Sequence, residues 1–236
     1  MDKTSDASSD LYEFVFSRDD ARRGADRLHE IIGERVPVAE SLLDVACGTG
    51  WHLERLREWY EVEGLDYSSG MLRHARKRLP GVPLHLADMK SFHLDRTFDV
   101  VLCLSSSVAS MRTVEELNRA VGTMAGHTSP GGLLIVEPWD FPGDPDAERP
   151  WLTTVESEDR SVALLETTTL QGNAWEQETH YLIWSRELGI EHRVETQTLG
   201  AFTRADYEAA FELATLAVEF DTAGLLGRGL FIGEHL

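Results

Sequence analysis

Cysteine is scarce in this chain, which has 236 residues and only two cysteines, Cys47 and Cys103. Both lie within apolar runs, where a thiol behaves as a small apolar side chain, so a disulfide framework is not expected. Basic residues are also few, with 22 lysines and arginines against 41 acidic residues and a formal net charge of -19. That charge repels nucleic acid and anionic membrane surfaces, and the sequence predicts neither as a partner.

Long apolar runs are absent as well, and none comes near the roughly 20 residues that a membrane-spanning helix needs. The first ten residues are polar and acidic and lack the apolar stretch of a signal peptide. Residues 1–10 are therefore predicted to form a disordered tail. His85, His93, His180 and His192 have no ligand spacing with cysteines or paired carboxylates, so no metal site is expected. Together these features predict a cytoplasmic protein.

Short apolar runs alternate with amphipathic stretches through the first half of the chain. The runs predict strands over 42–46, 62–65, 83–86, 98–104 and 133–136. The amphipathic stretches predict helices over 52–59, 69–78 and 114–125. This rhythm is typical of an α/β fold with a mostly parallel sheet and helices on both of its faces.

A second kind of sequence follows the break Phe-Pro-Gly-Asp-Pro at 141–145. Residues 143–200 are rich in Thr, Val, Trp and Tyr with partial alternation, which predicts an inserted antiparallel sheet. We expect Trp151, Trp175 and Trp184 in the core of this insertion. The main domain, 11–142, then resumes over 201–236. This last part has a helix over 205–214 capped by Thr203 and strands over 216–221 and 229–232.

A glycine turn follows the first predicted strand and begins the next helix, which allows a ligand to approach the backbone and the helix N-terminus. Its glycines are Gly48 and Gly50, and the third glycine of the dinucleotide fingerprint would fall at Leu53. The missing third glycine weakens the hypothesis of a nicotinamide cofactor but does not exclude it. Asp66 ends the second strand, where a carboxylate accepts hydrogen bonds from ribose hydroxyls in both cofactor classes.

Two further residues distinguish these cofactor classes. Asp88 ends the third strand and is placed to accept from an adenine amine, with Met89 as an apolar flank to the ring. Asp44 lies inside the first strand just before the glycines, where it would attract a cation and repel a pyrophosphate. The pattern therefore favours a sulfonium cofactor.

These motifs resemble those of the class I S-adenosylmethionine-dependent methyltransferases, which have a Rossmann-like sheet. The cofactor motif spans 44–50, and Pro130-Gly131-Gly132, before a strand ending at Glu137, matches their later turn. The segments SLLDVACGTG, GLDYSSGML, ADMKSF, PGGLLIVEPW and GRGLF together resemble the N-methyltransferases of nucleotide-linked aminodeoxysugars in antibiotic biosynthesis. That resemblance implies S-adenosylmethionine as methyl donor, S-adenosylhomocysteine as product and a dTDP-linked aminodeoxysugar as acceptor.

The resemblance also implies roles for individual residues. Leu11-Tyr12-Glu13 matches a Leu-Tyr-Asp motif whose tyrosine lies near the cofactor, so Tyr12 is expected on the cofactor side. The remaining expected cofactor contacts are Ala46, Tyr67 and Leu104. The sugar is expected under the inserted sheet. Relatives often have a histidine in the loop after the fourth strand, where this chain reads Ser106-Ser107-Val108-Ala109-Ser110.

Methyl transfer mainly requires in-line alignment, together with an acceptor for the amine proton. Glu137 is the first candidate for steering the amine or accepting its proton, and Ser107, Ser110 and Tyr12 are weaker candidates. Arg228, flanked by glycines, is expected to bind the substrate diphosphate as a bidentate donor, with Trp139 beside the substrate.

Two other functions stay open at this level. The chain would also suit an O-methyltransferase or a methyltransferase of another small amine, and binding motifs alone are compatible with an S-adenosylmethionine-binding module without turnover. The expected partners are a small nucleotide sugar and, in a homodimer, a second copy of the chain.

Overall fold

The order of helices and strands follows the predicted alternation closely. The structure, a computed structural model, describes residues 6–16, 18–225 and 227–235. The helices are α1 (Asp6–Val15), α2 (Arg18–Arg35), α3 (Trp51–Leu56), α4 (Ser69–Arg78), α5 (Val114–Ala125) and α6 (Arg204–Leu213). The strands are β1 (Ser41–Val45), β2 (Glu61–Asp66), β3 (Leu84–Leu86), β4 (Phe98–Cys103), β5 (Thr128–Val136), β6 (Trp151–Glu156), β7 (Arg160–Gln171), β8 (Ala174–Ser185), β9 (Gly189–Gly200), β10 (Leu216–Asp221) and β11 (Leu230–His235).

Seven strands form the central sheet in the order β10-β11-β5-β4-β1-β2-β3. Strands β1 to β5 are parallel neighbours, and β11 runs antiparallel to both β5 and β10. The carboxyl ends of the parallel strands therefore lie at one edge of the sheet, where ligands bind in open α/β folds. The predicted Rossmann-like sheet is confirmed.

The two faces of this sheet are covered by different helices, because neighbouring strand residues point to opposite sides. Leu42, with Val100 and Ile135, packs against α2, α3 and α4. Leu43, with its neighbours on the other face, packs against α5 and α6. Helix α6 begins at a capping box between Thr203 and Asp206, which confirms the predicted cap.

The insertion forms a separate four-stranded antiparallel sheet in the order β6-β7-β8-β9. One face, here called the inner face, packs on the rest of the protein. Val162 and Leu164 of β7 contact Leu11 and Val15 of α1, so α1 holds one end of this face. At the other end Trp175, with Leu199, packs against Ala109 and Ala147. The opposite face is called the outer face.

Several sequence predictions need correction. Helix α1 begins at Asp6, within the predicted tail, because Asp10 pairs with Arg73 and His74 of α4 and Ser9 is fully buried; residues 1–5 lie outside the described residues. The third helix ends at Leu56, before the predicted end at residue 59.

The predicted turn at Pro130-Gly131-Gly132 is part of β5. The strand bulges there, since Phe98 pairs with Thr128 whereas Val100 pairs with Leu133. A side chain at Gly132 would place its Cβ 2.6 Å from the Asp99 carbonyl oxygen, so the close approach requires glycine.

Two of the three tryptophans expected in the core of the insertion are outside it. Trp175 is buried as predicted, with 1% of its surface exposed, but Trp151 is 53% and Trp184 is 39% exposed. Within the described residues, no helix has the combination of length and apolar character that crossing a bilayer requires.

Candidate active site

The glycine turn joins β1 to α3 at the carboxyl edge of the sheet. Ala46, Gly48 and Gly50 all have left-handed backbone conformations, with φ of 62°, 56° and 84°. A Cβ at Gly50 would lie 2.7 Å from a Leu79 methyl carbon, so this position needs glycine for space as well as for φ. A Cβ at Gly48 would meet only the Tyr12 hydroxyl, 3.9 Å away. The turn thus leaves open space above Gly48, into which a ligand can approach the backbone.

Asp66 at the end of β2 holds this turn in place. Its Oδ2 accepts the Gly48 N–H at 2.9 Å, and its Oδ1 accepts the Ser68 N–H at 2.8 Å. The residue is 5% exposed. Each carboxylate oxygen has two lone pairs, so Asp66 can hold the turn and still accept from a pair of vicinal hydroxyls. Its predicted ribose contact is compatible with this geometry and stays a prediction.

Asp44 is a buried carboxylate with 1% of its surface exposed. Among the described residues, no hydrogen-bond donor reaches its Oδ1. Burial, together with the nearby negative charge of Asp66, raises the pKa of Asp44 to about 8. A bound cation at this position would favour the ionised carboxylate and offset its burial.

A cleft runs from the glycine turn to α1. Of the residues predicted to contact the cofactor, Tyr12, Asp44, Ala46, Gly48 and Leu104 line it together. The Tyr12 ring stacks on Phe16 with centroids 4.0 Å apart. Burial and the charges of Asp66 and Asp44 raise the pKa of the Tyr12 hydroxyl, which therefore stays protonated and available as a donor.

Several residues of the cleft wall were not predicted from the sequence. Burial lowers the pKa of the His52 imidazole to about 4, so this ring is neutral at physiological pH. The apolar periodicity of α1, α2 and α3 identifies the residues that face the protein core. It does not identify residues that line a cleft at the ends of these helices. The missed lining residues are Phe16, Ala21, Cys47, Thr49, Trp51, His52 and Ser105.

The other predicted cofactor residues are not part of the cleft lining; they are Gly50 and Asp66, described above, and Tyr67, Asp88 and Met89 after β2 and β3. Tyr67 is half-exposed and Asp88 is exposed, so both side chains are available to a ligand. Asp88 Oδ1 accepts the Lys90 N–H at 2.8 Å. The backbone carbonyl oxygen of Asp88 accepts the N–H groups of Ser91 and Phe92 in the turn that follows. Met89 is 6% exposed and packs in the hydrophobic core. The adenine contacts predicted for Asp88 and Met89 stay predictions.

Glu137, directly after β5, is tied to a strained turn after β4. Its Oε2 accepts the Ser105 N–H at 2.7 Å, and its own N–H donates to the Cys103 carbonyl at 2.9 Å. Ser105 and Ser106 have positive φ angles of 51° and 56°, an unfavourable conformation for these residues that surrounding bonds must hold. The Ser106 hydroxyl donates to the Pro138 carbonyl at 2.6 Å. Glu137 is thus a carboxylate that fixes the backbone of the cleft wall.

The predicted serines of this loop differ in their placement. Ser107 lines the cleft, whereas Ser110 donates its hydroxyl to the Ser107 carbonyl at 2.8 Å and is exposed. The two residues belong to a short 3₁₀ turn, Ser107–Ser110. Of the two, Ser107 is therefore the one that the fold brings beside the cofactor cleft.

Arg228 lies in the loop between β10 and β11, and its guanidinium is centred 5.6 Å from the Trp139 ring. Its Nη1 approaches the Ser106 hydroxyl at 3.4 Å. The same guanidinium acts electrostatically on Glu137, Asp140 and Glu166, opposing the rise that burial causes in the pKa of each carboxyl. The fold thus brings together Arg228, Trp139 and Glu137, the three residues predicted to bind substrate.

The donor set at the glycine turn fits S-adenosylmethionine. The unpaired oxygen of Asp44 suits a cation, the space above Gly48 admits a ligand close to the backbone, and Asp66 retains acceptor capacity for hydroxyls. Within the described ranges, His, Cys, Asp and Glu side chains nowhere gather in groups of three that could hold a metal ion.

Comparison with known proteins is consistent with this geometry. A family model described as a methyltransferase domain matches residues 42–132. The dTDP-3-amino-3,4,6-trideoxy-alpha-D-glucopyranose N,N-dimethyltransferase of Streptomyces venezuelae is 41% identical over 231 residues, which cover 95% of this chain and 96% of that protein. The dTDP-3-amino-3,6-dideoxy-alpha-D-glucopyranose N,N-dimethyltransferase of Streptomyces fradiae is 40% identical over 229 residues, covering 95% of this chain and 89% of that protein.

A solved structure shares the fold over nearly the same extent. The S-adenosylmethionine-bound structure of CalS10, an amino pentose methyltransferase from Micromonospora echinaspora, superposes with a TM-score of 0.85 at 39% identity and 92% coverage of both chains. Identity of this extent over nearly full length shows that the chain is an S-adenosylmethionine-dependent methyltransferase of class I and belongs to the family of the dTDP-aminosugar N,N-dimethyltransferases.

Proposed function

We propose that this enzyme methylates the amino group of a dTDP-linked aminodeoxysugar in an antibiotic biosynthetic pathway. The names of the relatives at 40–41% identity support this substrate class. The observation that carries the proposal is the place of the Arg228 guanidinium beside Trp139 and Ser106, from which it interacts electrostatically with the carboxyls of Glu137, Asp140 and Glu166. A cation that suits a diphosphate and carboxylates that suit an amine are thereby combined in one site.

In this proposal the two sheets belong to parts of the chain with different roles. The core, 11–142 and 201–236, binds the methyl donor at the glycine turn, and the insertion, 143–200, covers the sugar. S-adenosylmethionine supplies an electrophilic methyl group on a good leaving group. The chain's own task is then to align a neutral amine with that methyl carbon and to exclude competing nucleophiles. Asp44 and Tyr12 line the donor side of the cleft, and Asp66 holds the glycine turn there through the Gly48 N–H.

The proton of the amine needs an acceptor after or before attack. The Oε2 of Glu137 accepts the Ser105 N–H, and its Oε1 is the atom that we assign as the proton acceptor. Ser107 lines the cleft and can relay a proton through its hydroxyl, and the Tyr12 hydroxyl stays protonated and can donate or accept a hydrogen bond. These assignments are part of the proposal.

The proposed activity is tested by release of S-adenosylhomocysteine. The purified chain is incubated with S-adenosylmethionine and each of the two dTDP-aminosugars named in the relatives above. The same nucleotide sugars with a hydroxyl in place of the amine serve as matched acceptors. We expect turnover with at least one aminosugar and none with its hydroxyl counterpart. Silence with both aminosugars would overturn the proposal, and equal turnover with the hydroxyl sugars would favour an O-methyltransferase.

We also propose that the enzyme forms a homodimer through the outer face of the inserted sheet. Six apolar residues on that face are 39% to 76% exposed and are here called the outer patch. The outer patch comprises Leu152, Leu165, Leu182, Trp184, Ile190 and Val194. None of them is charged, although the chain carries a net charge of -19. Two such uncharged patches can meet in an isologous contact, where acidic patches would repel each other.

A further inference from the structure

The inner face of the inserted sheet is polar in its middle, between the two apolar ends that pack on the rest of the protein. Strand alternation places Glu166 and Thr168 of β7 on the same face as the buried Val162 and Leu164. The paired strand β8 adds Gln177 to this band.

Side chains in this polar band are buried although they are not part of either apolar cluster. Thr168 is 7%, Gln177 is 4% and Thr179 is 6% exposed. Burying polar groups is costly unless they are hydrogen-bonded, and a purely packing surface would have continued the apolar pattern on both sides. The band therefore has the character of a binding surface for a polar ligand.

Glu166 is the acidic member of the band on β7. Its Oε2 accepts the Thr179 hydroxyl at 3.3 Å, and Gln177 is a second hydrogen-bond partner of the carboxyl. Gln177 in turn accepts from the Gln197 amide across β8 and β9. A carboxylate offers about four acceptor positions, so these two contacts orient Glu166 and leave positions for a further donor.

The other glutamate of the site, Glu137, is less available to a ligand. Glu137 is 5% exposed and its Oε2 is committed to the Ser105 N–H that supports the strained turn. Glu166 is only partly buried, and Arg228 interacts electrostatically with both glutamates. A substrate held at its diphosphate by Arg228 would therefore come within the electrostatic reach of Glu166 on the inner face of the inserted sheet.

We infer that Glu166 is the carboxylate that binds the amino group of the sugar, with Thr179 and Gln177 holding it in position. The inference rests on the proposed function, because it requires an amine-bearing acceptor in this cleft. A carboxylate attracts the positive charge of an ammonium group as well as accepting its hydrogen bonds, whereas a hydroxyl at the same position is an uncharged donor, so Glu166 gives the site a preference for the amine.

The test compares Glu166→Gln with a matched control, Glu176→Gln. Glu176 also accepts a cross-strand threonine hydroxyl, that of Thr198 at 3.1 Å, but it lies on the outer face of the same sheet. We measure the Michaelis constant for the aminosugar nucleotide and the inhibition constant of the corresponding hydroxyl sugar nucleotide. Glu166→Gln should raise the first constant about tenfold to a hundredfold and change the second less than about threefold. Glu176→Gln should leave both constants as in the wild type.

Three outcomes overturn the inference: an unchanged Michaelis constant in Glu166→Gln, an equal rise in both constants, or the same loss in Glu176→Gln. An equal rise would indicate that Glu166 only supports the sheet. Calorimetric binding of S-adenosylmethionine and thermal unfolding of each variant check that the cofactor site and the fold are intact. Failure of the proposed function is distinguishable, because the wild-type enzyme would then methylate neither aminosugar nucleotide.

Discussion

The Asp66 carboxylate accepts the backbone N–H of Gly48 at 2.9 Å, so the residue predicted to bind the ribose also fixes the glycine turn. Gly48 follows the end of β1 and Asp66 ends β2, and these two strands are parallel neighbours in the sheet. A change at Asp66 therefore affects both the ligand contacts and the shape of the turn that the ligand approaches.

Asp66→Asn should weaken S-adenosylmethionine binding at least about tenfold, because one acceptor oxygen of a buried charged group is replaced by a donor. It should also lower the melting temperature by a few degrees, since the Gly48 or Ser68 N–H loses a charged acceptor. Calorimetry and thermal unfolding measure the two effects. A variant that binds the cofactor like the wild type would remove Asp66 from the site.

Asp44→Asn should change how the stability of the ligand-free enzyme depends on pH. Burial raises the pKa of Asp44 to about 8 in the folded chain, while an unfolded Asp ionises near pH 4. The unfolded state therefore binds fewer protons between these values, and the Asp44 contribution to stability is lost as pH rises from about 4 to about 8. The asparagine variant lacks this loss.

The measurement is thermal unfolding of wild type and Asp44→Asn at about pH 5 and about pH 8 without ligand. We expect the variant to gain stability relative to the wild type on going to the higher pH, and to bind S-adenosylmethionine more weakly. Asp95→Asn, at a fully exposed side chain, serves as the surface control. A stability difference that does not depend on pH would contradict the argument.

Arg228→Ala should raise the Michaelis constant for the nucleotide sugar about tenfold to a hundredfold, because a charge-assisted contact to phosphate is lost. Binding of S-adenosylmethionine should be unchanged. The Michaelis constant of Arg228→Lys for the nucleotide sugar should lie between those of the wild type and Arg228→Ala, since lysine keeps the positive charge but lacks the planar guanidinium. Arg204→Ala is the matched control, because Arg204 also stacks on an aromatic ring, that of Phe220, at 4.7 Å. Equal losses for sugar and cofactor would rule out the phosphate role.

Leu182→Glu should separate the proposed homodimer. It places a charge in the centre of the outer patch, where Leu182 is 53% exposed. The control is Leu213→Glu at the end of α6, outside the patch, where the leucine is 71% exposed. Light scattering after size exclusion should give a dimer for the wild type and the control and a monomer for Leu182→Glu. A monomeric wild type would refute the proposal.

Much of the fold was predictable because apolar runs and helical periodicity are local signals. Helices α4 and α5 and strand β10 have the predicted bounds, and the alternation correctly predicted a parallel sheet. The tail prediction was wrong from Asp6 onward for a non-local reason. Asp10 gains its partners from α4, more than sixty residues away, so polar composition alone gave no sign of order.

The cofactor motif was also predictable, since its chemistry lies within one strand, one turn and the ends of the next strands. Asp44, Ala46 and Gly48 line one cleft with Tyr12, and their contacts with the cofactor stay predictions. The substrate side was harder to predict. Strand alternation gives two faces to β7 but does not say which one packs on the core, so the place of Glu166 was not recognised.

The sequence by itself determined the parallel sheet, the glycine turn and the carboxylates at the strand ends, because periodicity, positive φ and charge are properties of neighbouring residues. Only the tertiary structure decided that Trp184 lies outside and that Glu137 is tied to Ser105. It also decided that Arg228 interacts electrostatically with Glu166 of the insertion. These relations join residues far apart in the chain, and they depend on how the inserted sheet docks on α1 and on the loop after β4.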